Sequence, residues 1–304
     1  MIKNLVLAGA GVKGISYIGV LKALRELQLF ENIKNICAVS SGSIAGLCFF
    51  LEMSYSSIEK IIFEIMNYET IRSDTTVNIV NILKSYGIES GDNIIKIIGV
   101  ILEKKTNNRN CTFKDLKKLY PDKKICIVGT NISNNKMEYF SIDTTPDMKI
   151  IKAIRISISV PFLFTSVTHN TDIYVDGGIS CNFPMDYFKD DLKNTLGVCI
   201  SSPNYISDVD NITTYFGRII RILMDTNDTY IKTRYYKNII EIIVDYDYTS
   251  INFDKKKREY LLDCGYRQTL INIKQTIFNP EIIIKKTLNN IIDEVEKIML
   301  YNNI

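Results

Sequence analysis

The sequence predicts an α/β fold in which helices flank a mostly parallel central sheet. A short apolar run, Leu5–Ala8, enters a glycine cluster and is followed by isoleucines and leucines at a spacing of three, which indicates a helix ending near Phe30. A second apolar run, Ile33–Val39, leads through a small-residue turn into another apolar helix from about Ile44. Because parallel strands need a crossover between them, this repeated order of strand, turn and helix favours parallel pairing.

Later segments are predicted from the same signals. An apolar run bounded by polar or glycine-rich turns is typical of a strand, and this pattern recurs at Ile125–Thr130, Met137–Ile142, Asp172–Val175 and Leu196–Ser201. Helical patterns are found within 56–105, over Pro146–Ser159, and near 210–235, 254–277 and 281–300. The chain beyond residue 201 is therefore predicted to be mostly helical.

Composition restricts the classes of protein that fit. Hydrophobic residues make up 46% and charged residues 23% of the 304 residues, which excludes a wholly disordered chain. The formal net charge of +3 is too small to predict nucleic-acid binding. Seven scattered cysteines are typical of reduced intracellular thiols, not of a disulfide framework or a zinc site. Abundant Ile, Asn and Lys with no Trp indicate an AT-rich genome, such as that of a large DNA virus or an intracellular bacterium.

The apolar runs of the chain are all short. The apolar run after Met1 is too short for a secretory signal peptide, which needs about 7–15 apolar residues. The stretches Ala45–Leu51 and Ile94–Leu102 fall short of the roughly 20 residues that span a bilayer. We therefore expect a soluble protein, cytoplasmic or peripheral to membranes. The segments Asn93–Lys105 and Lys255–Arg258 are compatible with lipid contact, but core packing and a solvated face are the favoured interpretations.

The first strand–turn–helix junction carries glycines in the pattern GxGxxG. Such glycines let the backbone turn sharply and aim its N–H groups at a negatively charged oxygen. The pattern fits a dinucleotide-binding loop, but the second strand ends at Val39 without the acidic residue that would hold a ribose. An oxyanion-binding loop and a tight turn without a ligand are the alternatives. The junction consists of Gly9, Ala10, Gly11, Val12, Lys13 and Gly14.

The second junction, residues 38–42 with the sequence AVSSG, resembles a nucleophile elbow, GxSxG. In that turn a serine lies between strand and helix, and small neighbours allow a close backbone approach. Taken alone, the pentapeptide favours a helix N-cap formed by Ser40, Ser41 or Ser43. If it is an elbow, Ser40 is the nucleophile, because it occupies the third position of the motif.

A third turn places a carboxylate at a strand end, since Asp176 follows Val175 and precedes Gly177 and Gly178. Taken alone, it favours an ordinary Asp-Gly turn. Nothing local links Asp176 to Ser40. The order of three turn motifs along one chain is what points to a common active site.

In this order the motifs resemble those of the patatin-like phospholipase family, whose pattern is G-G-G-x-[KR]-G, then GxSxG, then D-G-[GA]. Ala10 and Ala38 are the two departures from that pattern, each replacing a glycine, while Gly42 and the Asp176 turn match it. Further similarity lies in the stretches TFKDL from residue 112, TPD from residue 145 and AIRISISVPFLF from residue 153. The resemblance covers roughly residues 3–190.

The resemblance implies a patatin-like α/β-hydrolase-type fold, with a catalytic region over 3–190 and a mostly helical portion, 191–304, that completes the same domain. It also implies a lipid acyl hydrolase that cleaves phospholipids or related acyl esters without a metal or cofactor. Ser40 and Asp176 would form a catalytic Ser-Asp dyad. The chain's one histidine, His169, lies in a polar stretch and is expected in a solvated turn.

The other motif residues receive supporting roles from the same resemblance. The loop from Gly9 to Gly14 would donate N–H groups to the oxyanion, with Lys13 as electrostatic support or a structural anchor. The elbow and the Asp turn would be supported by Ala38, Gly42, Gly177 and Gly178. Two alternatives stay open: a nucleotide-binding oxidoreductase, because of GxGxxG, and a catalytically idle lipid-binding or interaction protein, because of the two alanines. The sequence identifies no protein partner.

Overall fold

The structure, a computed structural model, describes residues 1–65, 86–202, 209, 212–245 and 255–277. Its strands are β1 (Asn4–Leu7), β2 (Asn35–Ala38), β3 (Gly87–Glu89), β4 (Lys124–Asn131), β5 (Lys136–Phe140), β6 (Phe162–Phe164), β7 (Val167–His169), β8 (Asp172–Asp176), β9 (Thr195–Ser201) and β10 (Ile239–Ile243). Its α-helices are α1 (Ser16–Glu26), α2 (Ser41–Phe50), α3 (Tyr55–Ile65), α4 (Asp92–Thr106), α5 (Phe113–Leu119), α6 (Ile150–Ser157), α7 (Gly178–Cys181), α8 (Ile212–Arg234) and α9 (Lys255–Ile277). Short 3-10 helices lie at Gly11–Ile15, Phe30–Asn32, Met185–Asn194 and Tyr236–Asn238.

The central sheet has the strand order β10–β9–β1–β2–β4–β8–β7, with β5 also paired to β4. The five strands from β10 to β4 run parallel, whereas β5 and β8 are antiparallel to β4, and β7 is antiparallel to β8. Strands β3 and β6 form a separate parallel pair. Helices flank the sheet, so the predicted α/β class with a mostly parallel sheet is confirmed.

The register of the parallel strands places the motif turns together. Leu7, at the end of β1, is paired with Ala38 of β2 and with Val198 of β9. All four residues of β1 are buried, as expected for a strand covered by helices on both faces. Because the carboxyl ends of parallel strands meet at one edge of the sheet, the glycine loop after β1 and the serine turn after β2 lie side by side.

The C-terminal part adds a strand that the sequence analysis assigned to helical surroundings. β10 pairs in parallel with β9 and extends the edge of the sheet. Its sequence IIEII is rich in β-branched residues and alternates in burial, which suits an edge strand. The predicted helices near 210–235 and 254–277 are present as α8 and α9, while the one predicted over 281–300 lies outside the described residues.

Two earlier boundaries also differ from the sequence prediction. The stretch 56–105 contains β3, whose Gly87 passes so close to the Phe164 carbonyl that a Cβ there would overlap it. The helix predicted from Pro146 starts only at Ile150, because Lys149 is extended and forms a bridge with Thr112.

Helices α4 and α9 pack against the rest of the protein through different contacts. In α4, Ile94, Ile98 and Leu102 are buried, so the core-packed interpretation of this segment holds. α9 packs closely on α1 because both Gly19 and Gly265 lack a Cβ that would overlap the backbone of the other helix. Among the helices within the described ranges, none is both long and apolar enough to cross a bilayer.

Candidate active site

Ser40 lies in a strained turn between β2 and α2. Its backbone has φ 52° and ψ −130°, a conformation that residues with a side chain seldom adopt. The turn is fixed on both sides: the Val39 N–H donates to the Leu7 carbonyl at 3.2 Å, and the Ser40 N–H donates to Ser157 Oγ at 2.9 Å. No side chain caps α2, so the N-cap alternative for these serines is wrong.

The two neighbouring serines have structural partners. Ser41 Oγ accepts the Ala10 N–H at 3.1 Å, and Ser43 Oγ donates to the Ser40 carbonyl at 2.6 Å. Both hydroxyls therefore hold the turns in place, while Ser40 is the serine of this group that the turn presents beside the Asp176 carboxyl.

Small residues let the serine turn approach β1. A Cβ on Gly42 would lie 2.5 Å from the Ala8 carbonyl oxygen and 2.8 Å from that of Leu7. Ala38 is fully buried where the family pattern has glycine, and a Cβ built on Gly46 would lie 3.1 Å from the Ala38 Cβ. Gly46 thus leaves the space that the extra methyl group of Ala38 occupies.

The glycine loop runs beside Ser40. A Cβ on Gly9 would lie 2.2 Å from Asn182 Oδ1 and 3.1 Å from the Ser40 Cβ, so a side chain here would push Asn182 away and crowd Ser40. The Gly9 N–H donates to the Asn182 carbonyl at 3.0 Å, and the Lys13 N–H donates to the Ala10 carbonyl at 3.1 Å. Gly11, with φ 54°, begins a 3-10 helix, where the leading N–H groups have no acceptor within the helix.

Asp176 ends β8 and is almost completely buried, with 1% of its surface exposed. Its Oδ1 accepts the Gly178 N–H at 2.7 Å. Within the described part of the chain, Oδ2 has no partner at hydrogen-bond distance. Burial raises the pKa of Asp176 to about 7, and the Ser40 hydroxyl and the Gly178 N–H oppose this rise. Ser40 therefore interacts with the carboxyl, but a short hydrogen bond to Oδ2 is not formed in this state.

The glycines after Asp176 are required by close contacts. A Cβ on Gly177 would overlap the Val128 carbonyl, and a Cβ on Gly178 would lie 2.6 Å from Met224 Cε. The Thr130 hydroxyl donates to the Asp176 carbonyl oxygen at 2.8 Å and fixes the strand end against β4.

Asn182 and Asp228 are polar residues of the site that sequence reasoning missed. Asn182 Nδ2 donates to the Gly9 carbonyl at 3.2 Å and to Asp228 Oδ2 at 2.7 Å. Together with the Gly9 N–H bond, this ties the glycine loop to the segment after the Asp turn. Burial raises the pKa of Asp228 to about 6. Asn182 follows Asp176 by six residues and Asp228 lies on α8, so neither belonged to a motif that the sequence analysis used.

Lys13 is buried at the charged side of the site. Its Nζ lies 3.5 Å from Ser202 Oγ, and burial, followed by repulsion from Arg221, lowers its pKa to about 7. Arg221 in turn contacts both carboxylate oxygens of Asp225 at 2.9 Å.

A cavity of about 470 Å³ joins these groups. The serine turn and the glycine loop line it on one side, and α8 contributes Arg221, Met224 and Asp228 on the other. Most of the remaining lining is apolar and includes Ile44, Ile65, Ile94, Ile158, Leu163 and Phe164. An apolar cavity with a few converging polar groups suits a ligand that is mainly hydrocarbon.

His169 lies away from this cavity. It ends β7, the outermost strand on its side of the sheet, with β8 between it and β4. Its ring is half-buried and packs near the ring of Tyr174, with 6.1 Å between ring centroids. It is not among the residues that line the cavity.

A model of the patatin-like phospholipase family matches residues 5–189, and the chain belongs to this family. The uncharacterized protein R571 of Acanthamoeba polyphaga mimivirus is 33% identical over 288 residues, which cover 91% of this chain and 94% of that protein. The probable lipid hydrolase 463L of Invertebrate iridescent virus 6 is 31% identical over 193 residues, which cover 60% of this chain and 62% of that protein. The predicted family is confirmed, and both relatives are viral.

Solved structures share the fold at low sequence identity. VipD from Legionella pneumophila superposes with a TM-score of 0.58 at 19% identity, covering 88% of this chain and 66% of that chain. ExoU from the type III secretion system of Pseudomonas aeruginosa, in complex with SpcU, gives a TM-score of 0.51 at 14% identity, covering 91% of this chain and 53% of that chain. The chain thus spans between half and two thirds of these solved chains.

Proposed function

We propose that this protein is a serine hydrolase of lipid acyl esters, of the phospholipase A or a related type, that works through a Ser40–Asp176 dyad. The observation that carries the proposal is the position of Ser40. It lies in a strained turn beside a buried carboxyl that interacts with its hydroxyl, at the wall of an apolar cavity. Membership of a family of lipid-ester hydrolases supports the same chemistry.

The proposed reaction has two halves. Ser40 Oγ attacks the acyl carbonyl carbon while Asp176 accepts the hydroxyl proton, and the alcohol part of the lipid leaves with that proton. Water then attacks the acyl-enzyme and gives its proton to Asp176. As the bond between the acyl carbon and Ser40 Oγ breaks, Asp176 returns this proton to Oγ, and the fatty acid is released. A base with a pKa of about 7 suits both steps near neutral pH, because it is partly ionised and yet basic enough to accept a proton.

The glycine loop would stabilise the oxyanion. The N–H groups of Gly9, Ala10 and Lys13 already have acceptors, so Gly11 and Val12, at the start of the 3-10 helix, are the proposed donors. Rotation of the Ser41 hydroxyl would add the Ala10 N–H to them. Loss of one such donor typically raises the barrier by about 3 kcal/mol.

The cavity supports a lipid substrate. Its apolar part would hold an acyl chain, and its charged side, with Lys13 and Arg221, would face the ester and the polar part of the lipid. Because α8 supplies part of this wall, we also propose that residues 191–304 complete the domain formed by 3–190. The protein would act in the cytoplasm or at the periphery of membranes.

Hydrolysis is proposed to need no metal. In the ranges that the structure describes, no group of three or more His, Cys, Asp or Glu side chains is arranged to hold an ion. The proposed oxyanion donors are backbone N–H groups, so we predict that EDTA leaves hydrolysis of a monomeric soluble ester unchanged. Activity that EDTA abolished and calcium restored on that ester would contradict the prediction; vesicles are unsuitable, because calcium also changes their surface.

The proposal is tested by labelling wild type and Ser40→Ala with a fluorophosphonate, followed by assay on mixed phospholipid vesicles. Labelling of the wild type alone, with release of fatty acid, is the expected result. Labelling of both proteins would move the nucleophile to another serine.

The alternative is a lipid-binding protein of the same fold without catalysis. The Ala10 N–H is held by Ser41, which removes one donor from the oxyanion loop in this state and favours that alternative. Folded protein that neither labels nor hydrolyses, but binds lipid, would establish it.

A further inference from the structure

Helix α8 exposes large apolar side chains on a face that is normally polar in a surface helix. Charged residues at helical spacing, Arg221, Asp225 and Asp228, line the cavity on its inner face. Its outer face over the first half carries large apolar side chains that are 39% to 58% exposed, namely Tyr215, Ile219, Ile222 and Leu223. These exposed side chains form an apolar surface without a cover among the described residues, whereas the solvent-facing side of an amphipathic helix is normally polar.

Phe162 extends this surface to a segment that also lines the cavity. Its ring stacks on Phe216 of α8 with 4.1 Å between centroids, and 40% of the residue is exposed. Its φ of 66° is rare for an aromatic residue and carries a strain cost. The next two residues, Leu163 and Phe164, line the cavity. Gly217, Ile220 and Met224 of α8 line it as well, so the exposed apolar side chains lie next to residues of the cavity wall.

We propose that these side chains, Phe162, Tyr215, Ile219, Ile222 and Leu223, here called the apolar rim, dock the protein on the surface of a lipid bilayer. Side chains of this kind insert to the level of the headgroups and upper acyl chains. An acyl-ester lipid then passes from the bilayer into the cavity without crossing water. The inference rests on the proposed function, since it assigns the bilayer as the source of that substrate.

The charges on α8 favour a bilayer over other occupants. Over its whole length α8 carries four basic residues, Arg218, Arg221, Lys232 and Arg234, and two carboxylates, Asp225 and Asp228, of which Asp225 pairs with Arg221. Headgroup phosphates attract such a helix and do not repel it. Of the two segments that the sequence singled out for lipid contact, α4 buries its isoleucines, and Lys255 is exposed and lies 3.7 Å from Glu259. The apolar rim thus lies apart from both.

The test compares two Leu→Asp variants of equal exposure. Leu223 is 53% exposed in the rim, and Leu119 is 52% exposed at the end of α5. The chain after Leu119 enters the amino end of β4, whereas Ser40 follows the carboxyl end of the parallel strand β2. All proteins carry Ser40→Ala, so that binding is measured without catalysis. Flotation with phosphatidylcholine vesicles, with and without phosphatidylserine, gives the bound fraction. We expect Leu223→Asp to weaken binding at least tenfold, about 1.4 kcal/mol, and Leu119→Asp to leave it unchanged.

Ile222→Asp is the second rim variant, and circular dichroism checks folding of each protein. In the catalytically intact background, Leu223→Asp should lower the ratio of vesicle hydrolysis to soluble-ester hydrolysis by the same factor as binding. Equal vesicle binding by wild type and both rim variants would overturn the inference. The inference would also be overturned if the wild type did not bind vesicles but formed a dimer, and Leu223→Asp dissociated that dimer. Vesicle binding lost in the rim variants, with no ester hydrolysis by any protein, would support the rim and contradict the proposed function.

Discussion

The wall of the cavity that carries Ser40 and the wall formed by α8 place their polar groups by different means. The first wall is made by backbone: Gly9, Gly42 and the strained Ser40 bring two strand ends into contact at distances that side chains would prevent. The second is made by side chains: Asn182 and Asp228, which are far apart in sequence, are joined by a hydrogen bond. Backbone constraints leave glycines at fixed spacings, so they can be read from one sequence. Side-chain pairings leave no such pattern.

The largest expected effect falls on the backbone wall. Ser40→Ala removes the proposed nucleophile and should reduce ester hydrolysis by about 10⁵-fold or more, to background. Ser41→Ala, the matched variant one residue away, loses the bond to the Ala10 N–H and should lower kcat by no more than about tenfold. Turnover on a soluble ester with purified, folded proteins measures both. Equal inactivity of the two variants would mean that the turn as a whole, and not the Ser40 hydroxyl, is required.

The next effect concerns the base. Asp176→Asn should reduce kcat by about 10³- to 10⁴-fold, because an amide cannot accept the serine proton. In the wild type, kcat/KM should rise with pH and level off above about 7, where Asp176 is ionised. A rate that is flat between pH 5 and about 8 would contradict the assignment.

Lys13 has a pKa of about 7, like Asp176, so its own titration has to be separated from that of Asp176 in the pH profile. Its pKa of about 7 means that its charge is lost as the pH rises, so a requirement for this charge would appear as a falling limb. We expect Lys13→Arg, which keeps the charge, to give the same profile as the wild type, rising and then level. A falling limb in the wild type that Lys13→Arg removes would show instead that the charge is required.

Asp176 also affects stability, with a defined sign. Its pKa is raised from 3.8 to about 7 on folding, so its contribution to the free energy of unfolding is greatest below pH 4 and is lost as the pH rises through about 7. Asn carries no charge at any pH. At about pH 8 the melting temperature of Asp176→Asn should therefore be higher than that of the wild type, and near pH 4 this difference should disappear.

The elements of the fold that can be predicted are likewise those that leave a local pattern in the sequence. β1, β2 and β4 are apolar runs flanked by turn residues, and each appears close to where the sequence predicts it. β3 has three residues and exists through its pairing with β6, a contact that local sequence does not encode. β10 carries a strand-like sequence, but it lies between helices and lacks flanking glycines, so the helical pattern around it prevailed.

Within the site, signals existed that went unused. Gly46 follows Gly42 by four residues, which places both on one face of α2, and such spacing indicates a close approach. Arg221, Asp225 and Asp228 have the spacing of one helical face and indicate a polar stripe on α8. Asn182 offered no comparable signal. Its role depends on reaching Gly9 and Asp228 at once, and only the folded chain shows this.

A smaller effect is expected on the side-chain wall. Asn182→Ala removes the donor to both the Gly9 carbonyl and Asp228, and should lower kcat by about ten- to a hundredfold by loosening the loop that would hold the oxyanion. Asp228→Asn is the control, since its amide oxygen still accepts from Asn182, and kcat should change by no more than about threefold. KM for a soluble ester should change little in either variant. A drop in melting temperature with unchanged kcat would assign Asn182 a purely structural role.

The smallest effect is expected at His169, and it decides between a dyad and a triad. A triad hydrolase uses an imidazole as the base, and its loss costs several orders of magnitude in rate. His169 lies at the outer strand β7 beside Tyr174, and it does not line the cavity. We therefore predict that His169→Ala keeps the activity within about tenfold of wild type, a change of no more than about 1.4 kcal/mol in the barrier. It should be measured beside Asp176→Asn on a soluble ester, with folding checked by circular dichroism. A folded His169→Ala protein as inactive as Ser40→Ala would require the imidazole to reach Ser40, and the dyad would have to be abandoned.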